Sequence, residues 1–258
     1  MSYSGQSSDN MGVMERTEGP ILLSVVVPLR DEGPNLRALH EEIVDALQAT
    51  TGWEIVFVDD GSTDEGPDVL RELAREDPRV RIVTLARGYG QSTALVAGAE
   101  AARGEWVGTL DADCQNDPRD LVALWDEARE GVADVVTGYR LRRADAWARR
   151  ASSRVANSVR NRVSGDRITD VGCSVRVFPR RALLEAVRFE GMHRFLPTLF
   201  RLAGYTVVER PVGHRERHAG RSKYGIHNRL WRGIADLYVV RRLVRRQVRY
   251  DLRDGDGA

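Results

Sequence analysis

Residues 111–118 read Asp-Ala-Asp-Cys-Gln-Asn-Asp-Pro. Two carboxylates, Asp111 and Asp113, are separated by one residue, and Gln115 follows at the next alternate position. Alternate residues of an extended chain point the same way, so these three would present hard oxygen donors on one side. That donor set suits Mg²⁺ or Mn²⁺, cations that keep several waters and take the diphosphate of a nucleotide as their remaining ligands. A bare Asp-x-Asp also occurs as a solvated turn; the apolar run before it, in EWVGTLDAD (105–113), places this one at the end of a buried strand.

Two further stretches carry related chemistry. FVDDGSTD (57–64) ends an apolar run with Asp59 and Asp60, a glycine and two hydroxyls. It reads either as a strand, turn and capped helix or as carboxylates that accept hydrogen bonds from a base or ribose. RGYGQ (87–91), opened by Arg87, has the glycines of a phosphate loop. It lacks the third glycine of a dinucleotide fingerprint, which argues against a dehydrogenase, and no P-loop occurs in the chain.

The elements that must hold these residues alternate along the first half. LLSVVVPL (22–29), WEIVFVDD (53–60), RVRIVTLA (79–86), EWVGTLDAD (105–113) and ADVVTGYR (133–140) read as strands. Between them, residues 35–50, 64–77, 91–104 and 117–131 have helical spacing, with Asp64 in a capping position. Continuous apolar strands alternating with helices predict an α/β fold, a doubly wound and mostly parallel sheet covered on both faces. Ligands of such sheets sit beyond the carboxyl ends of the strands. Those ends here carry Pro28, Arg30 and Glu32, then Asp59 and Asp60, Arg87, Asp111 and Asp113, and Arg140. Further on, residues 167–187 read as a loop, a strand and a helix from near Pro179. Residues 205–217 read as a strand, and 226–250 as an amphipathic helix.

The chain has 258 residues, 42% of them hydrophobic, enough for one main domain with appendages. No apolar run reaches the eighteen residues of a membrane-spanning helix. The two cysteines, Cys114 and Cys173, make no disulfide framework and no secretory signal precedes them, so a reducing cytoplasm is the expected compartment. His193, His214, His218 and His227 have no Cys or Glu spacing that would form a zinc site.

A net charge of +1 conceals a segregation. Residues 140–162 carry eight arginines and one acid, and residues 214–249 carry eleven basic residues and two acids, which leaves the rest of the chain near −15. Such basic stretches call for an anionic partner: phosphates on a small molecule, a membrane surface, or nucleic acid. Aromatics at 7% give little for base stacking, which disfavours nucleic acid. The stretch HRERHAGRSKYGIHN (214–228) also contains the only lysine of the chain, Lys223, against 38 arginines. A compact ammonium on a flexible stem can follow a moving charge where a guanidinium fork grips one phosphate.

Taken in order, VVVPLRDEG, FVDDGSTD, RGYGQSTALVAG, TLDADCQNDP, TGYR, DVGCSVRVFPR and HRERHAGRSKY resemble the family 2 glycosyltransferases. The likeness is to the branch that loads sugars onto polyprenyl phosphates, and it covers residues 22 to about 240. It implies a nucleotide-diphospho-sugar transferase fold of GT-A type. By that resemblance Pro28, Arg30, Glu32, Val58, Asp59, Asp60 and Arg87 hold the donor nucleotide. Asp111, Asp113 and Gln115 hold the diphosphate and its Mg²⁺ or Mn²⁺, with Ala112 against the nucleotide and Asp113 catalytic. Arg140 and Arg143 match arginines near the acceptor phosphate. Arg217, Ser222 and Lys223 match the segment that closes over both phosphates, with Arg217 and Lys223 catalytic. Two positions depart from the pattern: Arg30 stands where tyrosine is usual, and Gly88 where asparagine is usual.

The implied activity is inverting transfer of a sugar from a donor such as GDP-mannose or UDP-glucose to a polyprenyl phosphate. A family 2 transferase with a non-lipid acceptor is the alternative. The implied organisation is a disordered tail (1–19), a catalytic domain (20–225), an amphipathic helix on the membrane surface (226–250) and a tail (251–258). Residues 141–163 would lie on the same anionic leaflet; alternatively, both basic stretches are ordinary surface helices with their apolar faces on the core. The enzyme is expected to be peripheral on the cytoplasmic face, alone or recruited by a separate membrane subunit, without nucleic acid.

Overall fold

The computed structural model describes residues 20–140, 168–215 and 226–245, with side chains in the last helix from residue 236 onward. Residues 1–19, 141–167, 216–225 and 246–258 lie outside it. The expectations for both tails, for the basic stretch 141–163 and for Arg143, Arg217, Ser222 and Lys223 fall there.

The chain forms a seven-stranded sheet: β1 (Leu23–Leu29), β2 (Trp53–Asp59), β3 (Val80–Thr84), β4 (Trp106–Thr109), β5 (Val135–Arg140), β6 (Arg176–Pro179) and β7 (Val207–Val212). Their order is β3-β2-β1-β4-β6-β5-β7. The β1–β2, β2–β3, β1–β4 and β5–β7 pairs are parallel, while β6 runs antiparallel to both β4 and β5. The mostly parallel sheet is as expected. The inverted β6 is not, because a short run such as Arg-Val-Phe-Pro carries nothing that tells direction.

Both faces are covered, so the strands are buried on alternate residues in both directions. Val25, Val27, Ile55 and Phe57 pack under α1 (Gly33–Leu47), α2 (Gly66–Glu76) and α4 (Pro118–Arg129). Val26, Val56 and Val58 face α3 (Gln91–Ala101), α5 (Arg180–Glu185), the 3₁₀ turn Met192–Arg194 and α6 (Leu196–Leu202), with α7 (Ile226–Arg245) beside them. Helix α6 has buried residues all round its first turns (Leu196, Pro197, Thr198, Leu199, Phe200), which erases the periodicity a sequence reader uses.

Helix α3 lies unusually close to the sheet. A Cβ on Gly98 would fall 2.4 Å from Val26 Cγ1 and 2.9 Å from Val58 Cγ2. Strand order rises from β1 to β2 to β3 on one side and returns through α3 to β4 on the other. The switch point therefore lies between β1 and β4, and their carboxyl ends, Leu29 and Thr109, open onto the crevice where ligands of such sheets bind. Among the described residues two non-glycines have left-handed backbone, Asp31 (φ 50°) and Cys114 (φ 55°), and they stand just past those two ends. Such backbone costs on the order of 1 kcal/mol and gathers at functional sites.

Candidate active site

Beyond β1, Asp31 locks two loops together. Its N–H donates to Ser62 Oγ at 2.8 Å, and its Oδ1 accepts from Thr63 N at 2.6 Å. Asp64 does the same for two helices, accepting from Gly33 N at 2.9 Å and Gly66 N at 3.0 Å, the first residues of α1 and α2. The capping expectation for Asp64 holds in substance, although the residue preceding α2 is Glu65. Glu32 precedes α1 and accepts from Asn35 Nδ2 at 2.7 Å.

Past β2, Asp59 and Asp60 are both buried and both serve the backbone. Asp59 Oδ1 accepts from Ser62 N at 2.9 Å. The two oxygens of Asp60 accept from Tyr89 N at 2.6 Å and Gly90 N at 2.8 Å, so this carboxylate sets the shape of the 87–90 loop. Gly61 (φ +72°) lets the turn after β2 press on that loop, since a Cβ there would meet the Arg87 carbonyl carbon at 2.7 Å. Arg87 and Tyr89 are exposed, with the guanidinium stacked 5.0 Å from the ring centroid. Arg30 is exposed and Pro28 partly so, whereas Val58 is fully buried under α3 and Ala112 lies in the opposite core layer.

Strand β4 ends at Thr109, earlier than expected, and a turn at Ala112–Asp113 brings the acids together instead of an extended alternation. Asp111 is partly buried and Asp113 is buried. Gln91 Nε2 donates to Asp111 Oδ1 at 3.1 Å, and Gln115 N donates to Asp113 Oδ1 at 3.3 Å. Burial, then the charge of Asp113, pushes the Asp111 carboxyl above its usual range, against a Ser174 hydrogen bond and the cations Arg176 and Arg140. Ser174 Oγ in turn accepts from Asn116 Nδ2 at 3.0 Å.

Two carboxylates crowded into one turn repel each other, and a divalent cation would relieve that repulsion. Among the described residues no group of three His, Cys, Asp or Glu side chains converges on a metal position. Two carboxylate side chains are hard oxygen donors of the kind Mg²⁺ or Mn²⁺ takes, with water completing the shell. Gln115 directs its amide elsewhere: Nε2 donates to the Arg215 carbonyl at 3.2 Å, while Arg215 N donates to the Gln115 carbonyl at 2.8 Å.

Several contacts here escape sequence reasoning. Arg215 anchors the entry to the basic segment, reaching Glu42 Oε2 at 2.9 Å and Asp117 Oδ2 at 2.6 Å. The Asp117 carboxyl is held at about 2 by Arg119 first, with Arg215 adding to it. Arg176, on the inverted strand, is 4% exposed, donates through Nη2 to the Val171 carbonyl at 3.0 Å, and lies close enough to Asp111 to act on its charge. Arg140 is committed to Asp170 by a two-point ion pair, Nε–Oδ2 2.7 Å and Nη2–Oδ1 3.0 Å. Ser92, beside Gln91 at the start of α3, meets His193 Nδ1 at 2.8 Å; burial, then Arg194, lowers that imidazole to about 3. Nothing in the spacing of these residues signals the contacts, except that Arg215 sits two before Arg217 in a basic run.

A doubly wound sheet with an acidic turn at its switch point is an α/β architecture of GT-A type. Solved structures share the architecture. Glucosyl-3-phosphoglycerate synthase from Mycobacterium tuberculosis superposes with a TM-score of 0.64 at 18% identity, covering 89% of this chain and 81% of that one. A mannosyltransferase from Pyrobaculum calidifontis, solved with GDP-Man and Mn²⁺, gives 0.58 at 23% identity, covering 87% and 64%.

Residues 24–186 match the model of Glycosyl transferase family 2, and the chain belongs to that family. It is 36% identical over 235 residues to the dodecaprenyl-phosphate galacturonate synthase of Rhizobium johnstonii, covering 88% of this chain and 68% of that protein. It is 38% identical over 206 residues to the undecaprenyl-phosphate 4-deoxy-4-formamido-L-arabinose transferase of Edwardsiella ictaluri, covering 79% and 63%. The chain thus spans about two thirds of the length of these curated relatives.

Proposed function

We propose that this chain is an inverting glycosyltransferase that moves a sugar from a nucleotide-diphosphate sugar to a polyprenyl phosphate at the cytoplasmic face of a membrane. The observation that carries the reading is the Asp111–Asp113 turn at the carboxyl end of β4, set at the switch point beside the β1 and β3 loops. The two relatives whose names specify polyprenyl-phosphate chemistry support the acceptor.

In this reading Asp111 and Asp113 hold Mg²⁺ or Mn²⁺, with Gln115 as a further candidate ligand. When bound, the cation neutralises charge on the departing diphosphate. Pro28, Arg30, Glu32, Asp59, Asp60 and Arg87 shape the donor side: the acids fix the loops, and the exposed cations meet the ligand. On the acceptor side stand Arg140, Arg143, Arg217, Ser222 and Lys223. Arg140 reaches an acceptor phosphate only if that phosphate competes with Asp170.

No dedicated general base is required. The second ionisation of a phosphate monoester lies near pH 6, so its oxygen is already a nucleophile at neutral pH. That oxygen forms a bond to the anomeric carbon as the bond from this carbon to the diphosphate oxygen breaks. The electron pair leaves with the nucleotide diphosphate, and the sugar is inverted.

The test is to incubate the protein with UDP- and GDP-sugars, Mg²⁺ or Mn²⁺, and a short polyprenyl phosphate. Sugar-lipid should form, and Asp113→Ala should lower its rate by at least about 10²-fold, the scale of losing one preorganised charge-stabilising group. Equal rates in the variant would sink the assignment of the site. Transfer to a glycan or small molecule with none to lipid would sink the acceptor.

A further inference from the structure

Helix α3 opens without a cap of its own. Gly90 precedes it and has no side chain to offer the first N–H groups, while the Asp60 carboxylate holds the chain just before it by the amides of Tyr89 and Gly90. The first two helical residues then make contacts with separate parts of the chain. Gln91 Nε2 donates to Asp111 Oδ1 at 3.1 Å. Ser92, 7% exposed, reaches the 3₁₀ turn Met192–Arg194 and the glycine before it.

The hydrogen bonds at Ser92 can be counted. A hydroxyl has one proton and two acceptor positions. Gly191 N donates to Ser92 Oγ at 3.1 Å and His193 N at 3.4 Å, which fills both acceptor positions. The remaining proton goes to His193 Nδ1, 2.8 Å away. That imidazole therefore accepts at Nδ1 and carries its own proton on Nε2, in agreement with a ring that burial keeps neutral. One serine thus satisfies three groups of the turn. From the other side the turn is held by α7. The Asp236 carboxylate lies against Gly191, where a Cβ would fall 2.6 Å from Asp236 Cγ, and it accepts from Arg194 Nη1 at 3.2 Å. Residues 191–194 are clasped between α3 and α7.

We infer that Ser92 is a positioning residue for the acid turn. By fixing the first turn of α3 on residues 191–194, it fixes the backbone from which Gln91 reaches Asp111, and Gln91 holds that carboxylate in one rotation. This rests on the reading of Asp111 and Asp113 as a cation site. A glutamine has several rotatable bonds and holds its partner only if its own backbone is held, since such constellations tolerate about 0.5 Å of misplacement. Ser92 supplies that constraint where a local cap is missing.

The test titrates Mn²⁺, with UDP or GDP present, into the wild type, Gln91→Ala, Ser92→Ala and the double variant. Free Mn²⁺ is read by electron paramagnetic resonance at a temperature where each variant is folded by circular dichroism, which gives site number and affinity separately. Gln91→Ala should weaken Mn²⁺ binding by about tenfold or more, the scale for removing a hydrogen-bond partner of a ligating carboxylate. Ser92→Ala should weaken it by at least about fivefold with the site number unchanged. The double variant should match Gln91→Ala within about twofold, because Ser92 acts through Gln91. A serine that only stabilises the fold would instead lower the number of sites at wild-type affinity. That outcome, wild-type affinity in either single variant, or losses that multiply in the double variant would overturn the inference while the cation site stands. Ser92→Cys, similar in volume but with a weakly hydrogen-bonding thiol, carries the same expectation if Ser92→Ala does not fold. If the wild type binds no Mn²⁺ with either nucleotide, the cation reading fails and takes the inference with it.

Discussion

At the scale of the residue, the acids of this chain divide by what they touch. Asp60 and Asp64 bind backbone amides and build loops; Asp111 and Asp113 flank a turn in which the charge of one acts on the other. Asp60, Asp111 and Asp113 all follow strand ends, and spacing does not say whether a carboxylate there is already satisfied. His193 is a sharper instance. It reads as an unremarkable histidine, yet it is mostly buried on Ser92, and its imidazole is lowered to about 3 from an ordinary 6.5, by burial first and then by Arg194. The unfolded chain binds this proton below pH 6.5 and the folded chain does not until about 3, so stability falls as pH drops through that window and is unaffected above it. Between pH 6.5 and 5.5 this one group should cost about 1 kcal/mol. His193→Gln should flatten the dependence of the unfolding midpoint on pH over that interval. A slope identical to wild type would show that His193 does not contribute.

At the scale of the element, α3 links core to site. It carries Gln91 onto Asp111 at its start, and its small residues let it lie close on β1 and β2. The run of Ala and Gly reads as a helix in the sequence, but its closeness to the sheet does not, since a small residue is equally compatible with a loose surface helix. Gly98→Ala separates these cases. An exposed helical glycine replaced by alanine gains up to about 1 kcal/mol. Here the new Cβ would overlap Val26 and Val58, and overpacking of this kind costs about 1–3 kcal/mol. The denaturant midpoint should fall; a rise would mean that α3 sits farther from the sheet. The β4 turn teaches the same lesson. The strand is legible from its apolar run, while its early end at Thr109 and the left-handed backbone at Cys114 are not.

At the scale of the whole molecule, the basic C-terminal helix was expected either on a membrane surface or with its apolar face on the core, and one face of the described part of α7 packs on the core. Val240 is fully buried, and Leu237, Leu243 and Val244 pack on the α3 side of the core. Arg194 ties the helix down through Asp236 at 3.2 Å. Tyr238 and Val239, 63% and 37% exposed, share the outer surface with Arg241, Arg242 and Arg245. No described helix is long and apolar enough to cross a membrane. An exposed basic and aromatic face suits an anionic lipid surface, at about 1 kcal/mol per arginine near it. The protein should cosediment with phosphatidylglycerol vesicles more than with phosphatidylcholine, less so at high salt. Arg241→Glu with Arg242→Glu should weaken that binding at least about tenfold; unchanged binding would remove α7 from the membrane.

The sequence by itself determined the alternation of elements, the mostly parallel sheet and the acids at its strand ends, because apolar periodicity and strand-end placement are local properties of the chain. Only the tertiary structure decided the inverted β6, the capture of Arg140 by Asp170 and the buried Arg176 near Asp111. Each depends on groups far apart in the chain meeting at one distance, which no spacing encodes.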